Sequence, residues 1–267
     1  MSLFHLFLIA AIQGVTEFLP VSSSGHLAVL PALTNLQDQG LALDVAVHVG
    51  TLFAVVMYFW SDVRIAGAGC LRLLKGKIDT QGAFLALCLL ISTIPVVVLG
   101  ALIKLTGFHD VLRSVAVIGW ATLGFGILLY WADRYSPMEK TDARWSIKDA
   151  AFMGMAQALA LIPGTSRSGI TITAARRLGY DRHGAAKLAM LMSIPTIIAS
   201  GVVLSVDVVG NADWNTAWNG MIAAVFSFFA ALLALTLMMR LLRSVSFTPY
   251  VIYRVILGMI LLVYAYS

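Results

Sequence analysis

Six apolar runs, at about 43–60, 83–103, 111–132, 185–206, 218–239 and 249–266, constrain this chain more than any other feature. Each is close to the roughly 20 residues a helix needs to cross a bilayer. Two shorter pairs interrupt the series. Residues 3–19 stop at Pro20 and resume from His26 to Leu33, followed by the polar turn Thr34–Gly40; residues 150–162 stop at Pro163 and resume from Ile170 to Leu178. Irregular backbone between two half-length helices is tolerated at membrane depth only where protein or a wet cavity surrounds it. Both pairs are therefore read as re-entrant hairpins. The expected fold is an all-α integral membrane protein with six transmembrane helices and two re-entrant helical hairpins. A mean hydropathy of +0.90 with 12% charged residues excludes an ordinary soluble domain.

The distribution of basic residues tests this topology. With six crossings and two hairpins that return to their own side, the loops 61–82, 133–149, 176–187 and 240–254 share one face and carry fifteen of the eighteen Lys and Arg. Lys104 and Arg113 fall on the opposite face, and Arg167 lies in the second polar turn. Cytoplasmic loops are the basic ones, so the four loops are assigned to the cytoplasm. The hairpins then enter from opposite sides, which makes residues 1–135 and 147–267 inverted repeats of a single membrane domain. The halves agree weakly in sequence: Gly14-Val-Thr-Glu17 corresponds to Gly154-Met-Ala-Gln157, each followed by a Pro and a Ser-Gly turn. Inverted repeats built on broken helices carry their polar sites near the midplane. The scattered basic residues, without aromatic interleaving, exclude a nucleic-acid surface. No Lys or Arg precedes the apolar run Leu3–Ile12, so a cleaved signal peptide is not expected. Cys70 and Cys88 lack metal or redox spacing and are read as free thiols.

The two polar turns carry the chemistry. The second reads Pro163-Gly-Thr-Ser-Arg-Ser-Gly-Ile-Thr171, and the first contains Gln13, Glu17 and Pro20-Val-Ser-Ser-Ser-Gly-His26. A central Arg in lipid costs about 2.5–3.5 kcal/mol even on lenient scales, so an intramembrane Arg marks a site. Arg167 offers a planar fork of donors suited to phosphate oxygens. Thr165, Ser166, Ser168 and Thr171 add hydroxyls, Gly164 and Gly169 lend flexibility, and Gly169 is expected to open a half-helix whose N–H groups attract anions. In the opposing hairpin Glu17 and His26 supply a carboxylate and an imidazole, and Ser22, Ser23 and Ser24 supply candidate nucleophiles. A cation facing a base and a hydroxyl suits phosphoryl transfer or hydrolysis.

Plainer roles compete for several of these residues. Ser24, Ser168 and Thr171 read equally well as bonding their own backbone or a neighbouring helix. Gln13, one turn before Glu17, orients that carboxylate or contacts substrate. His48 reads first as a hydrogen-bonded bundle residue, with a direct role at the site as the lesser alternative. Arg167 with Glu17 is otherwise a buried structural ion pair, which contributes little net stability.

On these motifs the chain resembles the undecaprenyl-diphosphate phosphatase family of bacterial membranes, the one linked to bacitracin resistance. That family carries a Glu or Gln, three intervening residues and then a Glu, here Gln13 and Glu17, and Pro-Gly-x-Ser-Arg-Ser-x-x-Thr, here Pro163–Thr171. The likeness extends over the whole chain in length and order of spans. It implies removal of the terminal phosphate of undecaprenyl diphosphate to recycle the carrier for peptidoglycan synthesis. It also implies a divalent cation, magnesium or calcium, with Glu17 as a ligand, in a cytoplasmic (inner) membrane protein whose site opens to the periplasm. Glu17, Ser23, His26 and Arg167 would be catalytic, with Gln13, Ser22, Gly164, Thr165, Ser166, Ser168, Gly169 and Thr171 around the phosphates. The partners are the polyprenyl lipid and the bilayer, not nucleic acid; monomer and homodimer both stay open. The rival reading, from another class, is a transporter or flippase for a phosphorylated polyprenyl lipid.

Overall fold

A computed structural model describes residues 2–34, 40–107, 112, 114–209 and 214–267. Arg113, most of the turn Thr34–Gly40 and part of the loop Asp207–Thr216 lie outside the described residues. Among the described residues the secondary structure is helical, with no β-strand. The helices are α1 Leu3–Phe18, α2 Ser23–Thr34, α3 Leu41–Tyr58, α4 Trp60–Leu73, α5 Gln81–Thr106 and α6 Val115–Tyr135. They continue as α7 Ile147–Ala158, α8 Arg167–Arg177, α9 Arg182–Val209, α10 Trp214–Leu241 and α11 Thr248–Tyr266.

Six of them, α3, α5, α6, α9, α10 and α11, are long and apolar enough to span a bilayer. The chain is a multi-pass membrane protein. Large side chains such as Phe53, Trp120, Phe229 and Leu233 point outward, where hydrocarbon takes the place of a protein core.

Local chemistry sets where the short helices end. Ser2 caps α1 by accepting from the His5 N–H, and Leu19 before Pro20 adopts an extended φ of −70° and ψ of 144° that stops it. Ser146 caps α7 through the Asp149 N–H at 3.1 Å. That helix closes in a 3-10 turn, Leu159–Leu161, rather than running on to Pro163. α8 starts at Arg167, two residues before the expected Gly169, because Ser166 is its cap.

Glycines let several helices approach closely. α1 lies on α10, and α7 on α5. A Cβ at Gly14 would sit 2.7 Å from the Ser227 carbonyl oxygen, and one at Gly154 would sit 2.6 Å from that of Ser92. Only glycine allows backbones this near. α3 also packs on α10 and α9, and α6 on α11 and α8.

Two features differ from the sequence reading. The region 61–82, read as a basic loop, contains α4, packed on α5 with Gly69 against Gly82. Arg176 and Arg254, counted among the loop cations, are fully buried. Arg176 pairs with Asp133 at 3.2 Å and donates to the carbonyls of Ser136 and Pro137, where Arg182 joins the same carboxylate at 2.8 Å. Removing the two leaves thirteen basic residues on that face, so the asymmetry persists.

Candidate active site

Two turns of the same construction face each other. Ser22 (φ 76°) and Ser166 (φ 71°) are the non-glycine residues with positive φ among the described residues. Such conformations cost about 1–3 kcal/mol and persist where the surroundings impose them. Each serine begins the pattern Ser-x-Ser-Gly. Ser22 Oγ accepts from the Gly25 N–H at 3.3 Å and approaches Ser24 Oγ at 3.4 Å. Ser166 Oγ accepts from the Gly169 N–H at 3.1 Å and approaches Ser168 Oγ at 3.1 Å. The middle position is Ser23 in the first turn and Arg167 in the second.

Glu17 joins the two. Its Oε1 pairs with the Arg167 guanidinium, and its Oε2 accepts from Ser23 Oγ at 2.6 Å and from Gln13 Nε2 at 2.8 Å. His48 Nε2 stands 3.8 Å from Oε2, its Nδ1 engaged by the Asp44 carbonyl at 2.7 Å. Arg167 also donates to the Ser193 carbonyl at 3.2 Å. A hydroxyl, a carboxylate and a guanidinium thus stand in one hydrogen-bonded row.

This row borders a cavity of about 200 Å³ lined at its polar end by Glu17, Ser22, Ser23, Ser24, His48, Ser166 and Arg167. Val96, Leu161, Ile197 and Leu204 form its apolar wall. The cavity therefore joins a polar end, with a guanidinium and several hydroxyls, to an apolar wall.

The other predicted residues lie behind the lining. Gln13 is fully buried and orients Glu17. Thr171 Oγ1 donates to the Arg167 carbonyl at 2.8 Å, and Ser168 Oγ to that of Leu19 at 2.9 Å. Thr165 is fully buried, with an unpartnered hydroxyl. Gly164 (φ 91°) forms the bend, and Gly169 sits in the first turn of α8. His26 does not line the cavity. Its Nδ1 contacts the Ser22 carbonyl at 2.6 Å, its Nε2 the Tyr253 hydroxyl at 2.5 Å, and its ring stacks on Tyr253.

A profile of the family described as bacitracin resistance protein BacA matches residues 6–260. The chain belongs to the BacA family. It is 72% identical over its full length, and over all of the relative, to a protein of Roseobacter denitrificans named undecaprenyl-diphosphatase. One of the same name from Dinoroseobacter shibae is 66% identical over the full length of both. Undecaprenyl-diphosphatase 1 of Rhodospirillum rubrum is 46% identical, covering all of this chain and 96% of that protein.

Within this BacA-family site, no three His, Cys, Asp or Glu side chains cluster as metal ligands among the described residues. Glu17 is the carboxylate at the cavity, and Gln13 Oε1 is buried beside it without a partner. A divalent cation fits here only with substrate oxygens completing its shell.

Two neighbours of the site are not singled out by the sequence. The sequence favours a bundle role for His48 over a direct one, and only helix packing turns α3 so that its ring stands 3.8 Å from Glu17. Arg254 carried the same signal as Arg167, a lone cation inside an apolar run, but its place near the start of α11 made it look like loop charge.

Proposed function

We propose that this chain hydrolyses undecaprenyl diphosphate to undecaprenyl phosphate and inorganic phosphate. One observation carries the reading: Ser23 Oγ donates to Glu17 Oε2 at 2.6 Å while Arg167 holds the other oxygen of that carboxylate. A substrate diphosphate would draw the Arg167 fork onto its phosphate oxygens, with the Ser166 hydroxyl beside it, and free Glu17 to act as base. The Ser23 oxygen then attacks the terminal phosphorus as Glu17 takes its proton. The bond to the bridging oxygen breaks, releasing the lipid monophosphate. Water next hydrolyses the phosphoserine to free phosphate and restores Ser23. Direct attack by water, activated at Glu17, gives the same products with Ser23 as a binding group. With both ring nitrogens of His26 engaged, the geometry favours Glu17 over His26 as base. A magnesium or calcium ion, bound by Glu17 and the phosphate oxygens together, would neutralise charge on the leaving group.

The surrounding architecture is read as one membrane unit of two inverted repeats, 1–135 and 147–267, with α1–α2 and α7–α8 as re-entrant hairpins. Three matches support it: the paired Ser22 and Ser166 turns, the Gly14 and Gly154 contacts, and the reciprocal packing of α1 on α10 and α7 on α5. The basic face marks the cytoplasm. The cavity then opens to the periplasmic side of the inner membrane, with the polyprenyl tail in lipid beside the apolar wall. A carrier of the same lipid needs an anion site but no hydroxyl-to-carboxylate pair, so the Ser23–Glu17 contact favours hydrolysis. Purified protein in detergent tests the reading. Phosphate released from a polyprenyl diphosphate is the expected result; tight binding without release would overturn it in favour of the carrier.

A further inference from the structure

Arg254 is fully buried in α11, yet no carboxylate pairs with it among the described residues. Its partners are backbone carbonyls. Nε donates to Thr122 O at 3.1 Å, Nη1 to Pro20 O at 3.1 Å, and Nη2 to Gly164 O and Thr165 O at 3.0 Å each. Pro20 belongs to the first polar turn, Gly164 and Thr165 to the second, and Thr122 to α6. Room has been left for the side chain: a Cβ at Gly169 would lie 2.8 Å from Nη1, and one at Gly126 would lie 3.1 Å from the Arg254 Cβ. The preceding residue, Tyr253, holds His26 from the first turn.

The chemistry of broken helices explains the arrangement. Where a helix stops inside a membrane its carbonyls lose intrahelical partners, and hydrocarbon provides none. A planar guanidinium has five N–H donors in a fixed fork, enough to serve several carbonyls at once. Lysine has as many charges but a single donor centre, which cannot span carbonyls of two turns in one fixed geometry. Each turn is closed internally by its own serine, Ser22 to Gly25 and Ser166 to Gly169. What those bonds do not provide is the placement of one turn against the other.

We infer that Arg254 is a positioning residue that clasps the two polar turns together, setting the register of Ser23 and Glu17 against Arg167 and Ser166. This rests on the phosphatase reading for its effect on turnover, but not for its effect on the backbone. Full-length protein carrying Arg254→Lys, which keeps the charge and loses the fork, should lose about 100-fold in kcat, as a displacement of about 1 Å would cause. KM should change by no more than about threefold, because the Arg167 side of the site survives. Amide hydrogen exchange should rise together in residues 20–26 and 163–170, with little change in α3 or α10. Gly126→Ala, which crowds the guanidinium without removing it, should produce the same paired rise and a smaller fall in kcat, and stands in if the lysine variant does not fold. Wild-type kcat in Arg254→Lys would overturn the clasp. So would a lowered Tm with unchanged turnover, or faster exchange in one turn alone. Absence of phosphate release from the wild type would instead count against the phosphatase reading, while the exchange measurement still decides the clasp.

Discussion

Replacing Glu17 by Gln keeps the shape of the side chain and removes its charge and its basicity. Glu17 is 7% exposed and takes hydrogen bonds from Arg167, Ser23 and Gln13. Two effects follow. In the resting protein Arg167 loses its counter-charge; breaking a buried pair from one side costs about 3–5 kcal/mol. The Arg167 side chain keeps 16% exposure at the cavity, which places the loss at the lower end, about 3 kcal/mol. In the reaction the proton acceptor disappears, and a positioned general base contributes about 10²–10⁴ in rate. That is about 2.7–5.5 kcal/mol on the barrier. The assay is release of inorganic phosphate from a polyprenyl diphosphate by purified protein, with thermal unfolding in detergent run with and without pyrophosphate. Glu17→Gln should lose at least about 100-fold in kcat. Its Tm should be lower than that of the wild type without ligand, and pyrophosphate should raise it more, because the anion replaces the missing carboxylate opposite Arg167. A kcat within about fivefold of wild type would refute Glu17 as the base. An unchanged unliganded Tm would refute the stability argument separately.

Four further outcomes follow from the same geometry. Ser23→Ala should abolish a trappable phosphoseryl intermediate and lower kcat by at least about 100-fold; near-normal turnover would leave water as the nucleophile. Gly154→Ala should destabilise by about 1–3 kcal/mol, because the new Cβ meets the backbone of Ser92, whereas Gly124→Ala, with open space around it, should be neutral or slightly stabilising in thermal unfolding. Tyr180→Phe should cost about 1.5–3 kcal/mol of stability with kcat unchanged, since the buried hydroxyl donates to Asp149 Oδ2 at 2.6 Å. That phenol is held above its ordinary value by burial and then by Asp149, so it stays a donor across the physiological range. Chelation should stop phosphate release and leave the unliganded Tm unchanged, as a cation held jointly with substrate predicts; a large Tm loss on chelation would point to a resident metal instead.

The amino-acid sequence by itself determined the six spans, because hydrocarbon thickness translates directly into runs of about 20 apolar residues. It also singled out Arg167 and Glu17, which are expensive at depth and so stand out against an apolar background, and the fold brings these two side chains into contact. Other properties depend on which way a helix is rotated and what stands opposite it. His26 and His48 look alike as lone imidazoles beside apolar runs, yet packing turns His48 to Glu17 and His26 to Tyr253. Arg240 and Arg254 flank the same connection, but only Arg254 faces inward onto carbonyls of two distant turns. Hydropathy is a property of segments, legible one residue after another. Hydrogen-bond partners 89 to 234 positions away, as between Arg254 and its two turns, come into being only when the helices meet.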